Sequence, residues 1–206
     1  MKIVCYGDSN TYGYDPRLGG NGRLAKYERW TGILDGVDGL DIVNEGMCGR
    51  CIPASLAEYR SLAGLLERSA DADMLMIMLG TNDLFMTREA TARKIADRMR
   101  AVFANVPALT KLARTPGRRV LLICPPAPSD RVIFYQMVGI SMEQTAGEAA
   151  KIMSGLPGEL RRVAEENGVE FADATAWGIT TMFDGLHFSE AGHKKFAGEI
   201  LAVIEE

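Results

Sequence analysis

Met74-Leu-Met-Ile-Met-Leu79 is six apolar residues without polar alternation, and it runs directly into Gly80-Thr-Asn-Asp83. A strand covered on both faces has no side that must be polar, so a short unalternating run predicts a central strand of a parallel sheet. Val120-Leu-Leu-Ile123 reads the same way. Working outward, strands are expected at 2–6, 41–44, 73–79, 119–124 and 169–172. Amphipathic stretches separate them. Ser55-Leu-Ala-Glu58 is a capping box ahead of Leu62, Ala63 and Leu66, in which serine and glutamate satisfy each other's backbone N–H groups. Thr87 is the expected cap of a helix with Ile95, Met99, Val102 and Phe103 on one face. Ser141-Met-Glu-Gln144 reads as a second box, opening a helix that runs to an Asn167-Gly168 stop. A last helix over 189–204 repeats Phe196, Ile200 and Ile204 every four residues. Strand alternating with helix means βαβ units, and so a doubly wound, flavodoxin-like α/β fold in a single domain over residues 1–206.

Composition narrows the function classes. With 27 acidic and 23 basic side chains among 206 residues, the formal charge is −4. That balance disfavours nucleic acid or an anionic membrane as partner. Counted with Gly80, the longest apolar run, Met74 to Gly80, holds seven residues, well short of the roughly 18 that span a bilayer. The opening Met1-Lys-Ile-Val-Cys-Tyr6 is too short for a signal-peptide apolar region, so the expected location is cytoplasmic. Cys5 and Cys124 end apolar strands and read as small core hydrophobes. Cys48-x-x-Cys51 lacks the four ligands of a structural zinc site, and two incidental thiols are the simpler reading; no metal or cofactor is expected. Two segments resist the scheme: the glycine-rich loop from Tyr12 to Tyr27, and the proline-led stretch from Pro125 to Ile140. The second is apolar over Val132-Ile-Phe-Tyr-Gln-Met-Val-Gly-Ile140, which suggests a site wall, a lid or a homo-oligomer contact.

In a doubly wound sheet, ligands gather at the carboxyl ends of the strands. Four polar clusters fall there: Gly7-Asp8-Ser9-Asn10, Asn44-Glu-Gly46 with Gly49, Gly80-Thr-Asn82-Asp83, and Asp184-Gly-Leu-His187. Acyl transfer needs such a set. A serine hydroxyl is a poor nucleophile until a histidine takes its proton, and a carboxylate must hold that imidazole. Ser9, His187 and Asp184 fill those roles. Ser9 N–H, Gly49 N–H and the Asn82 amide are suited to stabilise the oxyanion, Gly49 because a residue without Cβ lets backbone approach substrate closely.

The same residues resemble the SGNH, or GDSL-like, hydrolases, whose four blocks occur here in order. The resemblance implies a three-layer α/β/α sandwich with five parallel strands, Ser9 as nucleophile, Gly49 and Asn82 in the oxyanion hole, and Asp184 and His187 completing the triad. Arg29-Trp-Thr-Gly32, Asn44-Glu-Gly46, Pro125-Pro126 and Asp184-Gly-Leu-His-Phe188 are similar to the aryl-esterase and acyltransferase (perhydrolase) branch, which handles short acyl groups. Asn10 departs from the leucine of the family name, at a position expected to face away from the chemistry.

The expected activity is hydrolysis of small, acetyl-type esters through an acyl-enzyme. Transfer to alcohols or peroxide would follow if the 125–140 segment keeps the pocket apolar. A carbohydrate O-deacetylase uses the same triad in a more polar cleft. A flavodoxin-like binding module, with Ser9-Asn-Thr11-Tyr-Gly13 cradling phosphate, explains the first loop but leaves Asn82, Asp184 and His187 without purpose. Asp8, Trp30 and Phe134 are further candidates for the substrate site, although a structural role for Asp8 and a core position for Trp30 are simpler. His193, beside Lys194 and Lys195, is expected on a solvated face, and Asp83 as a helix cap.

Overall fold

The computed structural model describes residues 1–20 and 22–205. Five strands, β1 (Lys2–Gly7), β2 (Asp41–Gly46), β3 (Met74–Met78), β4 (Arg119–Cys124) and β5 (Glu170–Asp173), form one parallel sheet in the order β2-β1-β3-β4-β5. The helices are α1 (Ser9–Tyr12), α2 (Trp30–Leu34), α3 (Leu56–Arg68), α4 (Thr81–Met86), α5 (Ala92–Asn105), α6 (Pro107–Ala113), α7 (Phe134–Met137), α8 (Ala146–Asn167) and α9 (Glu190–Glu205).

Successive strand side chains point to opposite faces, so the unalternating run of β3 feeds two cores at once. Leu75 and Ile77 join Val4, Tyr6, Val120 and Leu122 under α3, α5 and α8. Met74, Met76 and Met78 join Ile3, Cys5, Leu121 and Ile123 against Trp30 of α2 and Phe196 and Ile200 of α9. Each buried side chain of this kind contributes about 1.5–3 kcal/mol, so both layers of helices are held by the central strands. The five-stranded α/β/α sandwich agrees with the sequence reading.

Two helix starts differ from expectation. Thr91, not Thr87, caps α5 by accepting the Lys94 N–H at 3.1 Å; Thr87 instead ends α4, its N–H bonded to Asp83. Thr145 and Glu148 form the capping box of α8 in place of Ser141 and Gln144. Tertiary bonds explain this second shift. Glu143 N–H donates to the Phe85 carbonyl and Gln144 Nε2 to the Thr87 carbonyl, so these residues tie the chain to the end of α4. The Ser55–Glu58 box of α3 and the Gly168 stop of α8 stand where the sequence puts them.

His193 is buried, not solvated. It shares the inner face of α9 with Phe196, Ala197 and Ile200, while Lys194 and Lys195, one and two residues on, rotate outward. Its ring lies 5.3 Å from that of Phe188, and its Nδ1 faces the Trp30 N–H at 3.4 Å.

Candidate active site

The order of strands reverses at β1, between β2 and β3, and the crevice beyond that edge collects the polar clusters. After Gly7, Asp8 turns the chain and accepts the Asn10 N–H at 2.9 Å, which presents Ser9 as the first residue of α1. The second partner arrives from the far end of the chain. In the turn before α9, Asp184 Oδ1 accepts the N–H groups of Leu186 and His187, each at 3.1 Å. That folds the His187 ring back onto the same carboxylate, with Nδ1 2.6 Å from Oδ2. The opposite nitrogen, Nε2, lies 2.9 Å from Ser9 Oγ. Gly185 makes the turn feasible: its φ is +74°, and a Cβ there would come within 2.4 Å of the Arg131 carbonyl. Burial pushes the Asp184 carboxyl up, but the His187 ring and two backbone N–H groups outweigh it and hold the group below the usual carboxylate range.

Asn10 does not face away from this arrangement. Its Oδ1 accepts the Phe188 N–H at 2.9 Å and its Nδ2 donates to the Leu186 carbonyl at 3.4 Å, bracketing His187 on both sides. Rings hold the imidazole as well: Tyr14 lies at 4.6 Å and Phe134 at 4.5 Å between centroids.

On the β3 side, Asn82 in α4 donates from Nδ2 to the Arg50 carbonyl at 3.0 Å and accepts the Tyr135 hydroxyl on Oδ1 at 3.0 Å. Gly49 has φ +75° and open space where a Cβ would stand, so left-handed backbone, not crowding, is what the position demands. Arg50 anchors this turn by donating to the carbonyls of Gly7 and Glu45, its guanidinium 4.2 Å above the Tyr6 ring. Asp83 is not the cap of α4, which Gly80 begins. It is fully buried and accepts from Ile52 N–H at 2.9 Å and Arg98 Nη1 at 2.8 Å, joining the second block to α5.

Ser9, Gly49, Asn82 and His187 line one cavity of about 380 Å³. Phe134 lines it too, together with Tyr14, Met86, Tyr135, Val138 and Ile140. Asp8 and Trp30 do not. Asp8 is sealed beneath Ser9, where burial pushes its carboxyl up to about 6. Trp30 is a core residue that packs on Phe196 and donates its indole N–H to the Asn10 carbonyl. Cys48 borders the cavity, and both Cys48 and Cys51 are free thiols pushed upward by burial, Cys51 to about 12. A larger hollow of about 640 Å³ beside β5 contains none of the polar clusters. Among the described residues, no group of three His, Cys, Asp or Glu side chains is placed to hold a metal ion, and no helix is long and apolar enough to cross a membrane.

Tyr14, Arg50 and Tyr135 had no sequence signal of their own. Tyr14 and Arg50 reach the site from loops and Tyr135 from the short helix α7, and only the glycine-rich and proline-led character of two of those segments marked them out.

The GDSL-like lipase/acylhydrolase family model matches residues 5–195. No curated protein gives a significant match. Among solved structures, a carbohydrate acetylesterase from Sinorhizobium meliloti is 26% identical with a TM-score of 0.78, over 98% of this chain and 99% of that one. The M. smegmatis aryl esterase is 25% identical with a TM-score of 0.78, over 100% and 98%. A member of the lipolytic G-D-S-L family from Veillonella parvula, 17% identical with a TM-score of 0.64 over 100% and 99%, shares the fold. Since the family match runs from within β1 to within α9 and takes in the turns that carry Ser9, Asn82 and His187, the chain belongs to the GDSL-like lipase/acylhydrolase family.

Proposed function

We propose that this protein is a serine hydrolase of small carboxylic esters, with Ser9, His187 and Asp184 as its triad. The observation that carries the reading is the unbroken path from Asp184 Oδ2 to His187 Nδ1 at 2.6 Å and from His187 Nε2 to Ser9 Oγ at 2.9 Å. Ser9 Oγ attacks the ester carbonyl while His187 Nε2 takes its proton. Asp184 keeps the imidazole in the tautomer that can accept it. Ser9 N–H, Gly49 N–H and Asn82 Nδ2 receive the oxyanion. Collapse expels the alcohol, which leaves with the proton from His187. Water then repeats the sequence on the acyl-serine and releases the acid. The family match and the two esterase neighbours support ester cleavage.

The cavity lining supports aryl or alkyl esters with short acyl chains, because Met86, Phe134, Val138 and Ile140 are apolar and leave the Tyr14 phenol as one of few groups a sugar hydroxyl could bond. The same apolar lining supports transfer of the acyl group to alcohols or peroxide in competition with water. The second reading, carbohydrate O-deacetylation, draws support from the Sinorhizobium meliloti neighbour.

Ser9→Ala and His187→Ala should each lower turnover of p-nitrophenyl acetate by roughly 10⁴–10⁶-fold. Ser9→Ala should leave the melting temperature nearly unchanged, and His187→Ala should lose some stability because buried Asp184 loses its partner. A fluorophosphonate should label Ser9 in the unaltered protein. Comparable turnover in either variant would place the nucleophile elsewhere. A panel of phenyl, alkyl and acetylated-sugar esters separates the two substrate classes.

A further inference from the structure

The Asn82 carboxamide can present either of two faces to the cavity, and they are opposites: Nδ2 donates hydrogen bonds, Oδ1 would repel an anion. What holds it in the useful sense comes from outside its own block. Nδ2 spends one hydrogen on the Arg50 carbonyl, and Oδ1 accepts the Tyr135 hydroxyl, both at 3.0 Å. One Nδ2 hydrogen is left over for the space shared with Ser9. We propose that Tyr135 is a positioning residue for the oxyanion hole, its hydroxyl fixing the Asn82 carboxamide so that the remaining Nδ2 hydrogen serves the developing negative charge. The proposal rests on the catalytic reading given above.

The surroundings suit the role. Tyr135 is buried, with its ring 5.1 Å from Phe85, three residues after Asn82 in α4, and 5.4 Å from Phe134. Burial pushes its phenol further above its ordinary value, so it remains a donor at any working pH. Phe134 and Tyr135 are consecutive in α7, and one touches the His187 ring while the other bonds Asn82. A single turn of helix therefore addresses both the proposed base and the proposed oxyanion donor.

The test is a double-mutant cycle on p-nitrophenyl acetate hydrolysis, with kcat normalised by fluorophosphonate titration so that only folded sites count. Complete loss of an oxyanion donor costs about 10²–10³ in rate. Tyr135→Phe removes the hydroxyl and keeps the ring, so kcat should fall roughly tenfold with KM within about twofold, on the scale of one hydrogen bond. In an Asn82→Ala background the same change should have no further effect on kcat. Affinity for a trifluoromethyl ketone, whose adduct carries the oxyanion, should fall in step with kcat, while inhibition by acetate stays the same. Equal effects of Tyr135→Phe in both backgrounds, or a raised KM at unchanged kcat, would overturn the proposal and leave Tyr135 as pocket wall. Wild-type turnover in Asn82→Ala itself would instead overturn the underlying assignment of Asn82.

Discussion

Asn10 stands where the family name has leucine, and it bonds both residues that flank His187. A leucine could fill the space but could not satisfy the Phe188 N–H or the Leu186 carbonyl. Asn10→Ala should leave those buried groups unpaired, which costs about 1–3 kcal/mol. Thermal melts should register that loss, and kcat for p-nitrophenyl acetate should fall by about tenfold as the imidazole loses its bracket. Unchanged kcat in a destabilised protein would restrict Asn10 to folding. At this scale the sequence was legible where a residue follows a strand end. Ser9, Asn82, Asp184 and His187 could be picked out because the sheet edge is the common destination of those turns. Tyr14, Arg50 and Tyr135 could not, since a ring or a guanidinium in a loop or a single-turn helix carries no spacing that says what it will touch. Trp30 took the core position that was its simpler reading.

At the scale of elements, strands were easier to read than helix starts. β3 could be recognised because burial on both faces leaves its mark in six consecutive residues. Helix caps are local bonds, and they yield where a tertiary partner competes. Gln144 bonds the end of α4, so the box moves to Thr145. The Asp83–Arg98 pair couples α4 to α5 and, through Ile52, to the Gly49 turn. Arg98→Ala should destabilise by about 1–3 kcal/mol near neutral pH, because a buried acceptor loses its charged partner. Burial already holds the Asp83 carboxyl above its ordinary range despite Arg98. A carboxyl with a raised folded pKa favours folding at low pH and loses that contribution as pH rises through the folded value. The deficit of Arg98→Ala should therefore be larger in urea melts at pH 8 than at pH 4.5. Equal deficits at the two values would mean that Arg98 acts by packing alone.

Across the whole molecule, buried groups pull the pH dependence of stability in opposite directions. Burial lowers His193 from 6.5 to about 3. The unfolded chain thus takes up a proton that the native state refuses, and stability present above pH 6.5 drains away toward pH 3. The slope is at most about 1.4 kcal/mol per pH unit. Asp8, raised from 3.8 to about 6, does the reverse and adds stability as pH falls through that interval. His193→Asn should remove the first influence and expose the second. The variant should lose less melting temperature than the parent between pH 7 and pH 4.5, and an equal or greater loss would rule out His193 as the acid-sensitive group. The fold as a whole was within reach of the sequence because alternating strand and helix leave few ways to cover both faces of a sheet. The long-range partners of α9 were not, for helical periodicity shows an inner face without showing which residue, even a histidine, completes it.

The stretch from Ser129 to Ile133 donates its terminal N–H groups to the carbonyls of Gly185 and Asp184, at 2.9 and 3.0 Å. It runs directly into Phe134, which lines the cavity, and it is also a splint for the turn beneath the imidazole. A chimaera that borrows this stretch from a relative to accommodate longer chains would reset that splint as well. In this architecture, tailoring what the enzyme accepts and preserving how fast it works are a single engineering problem.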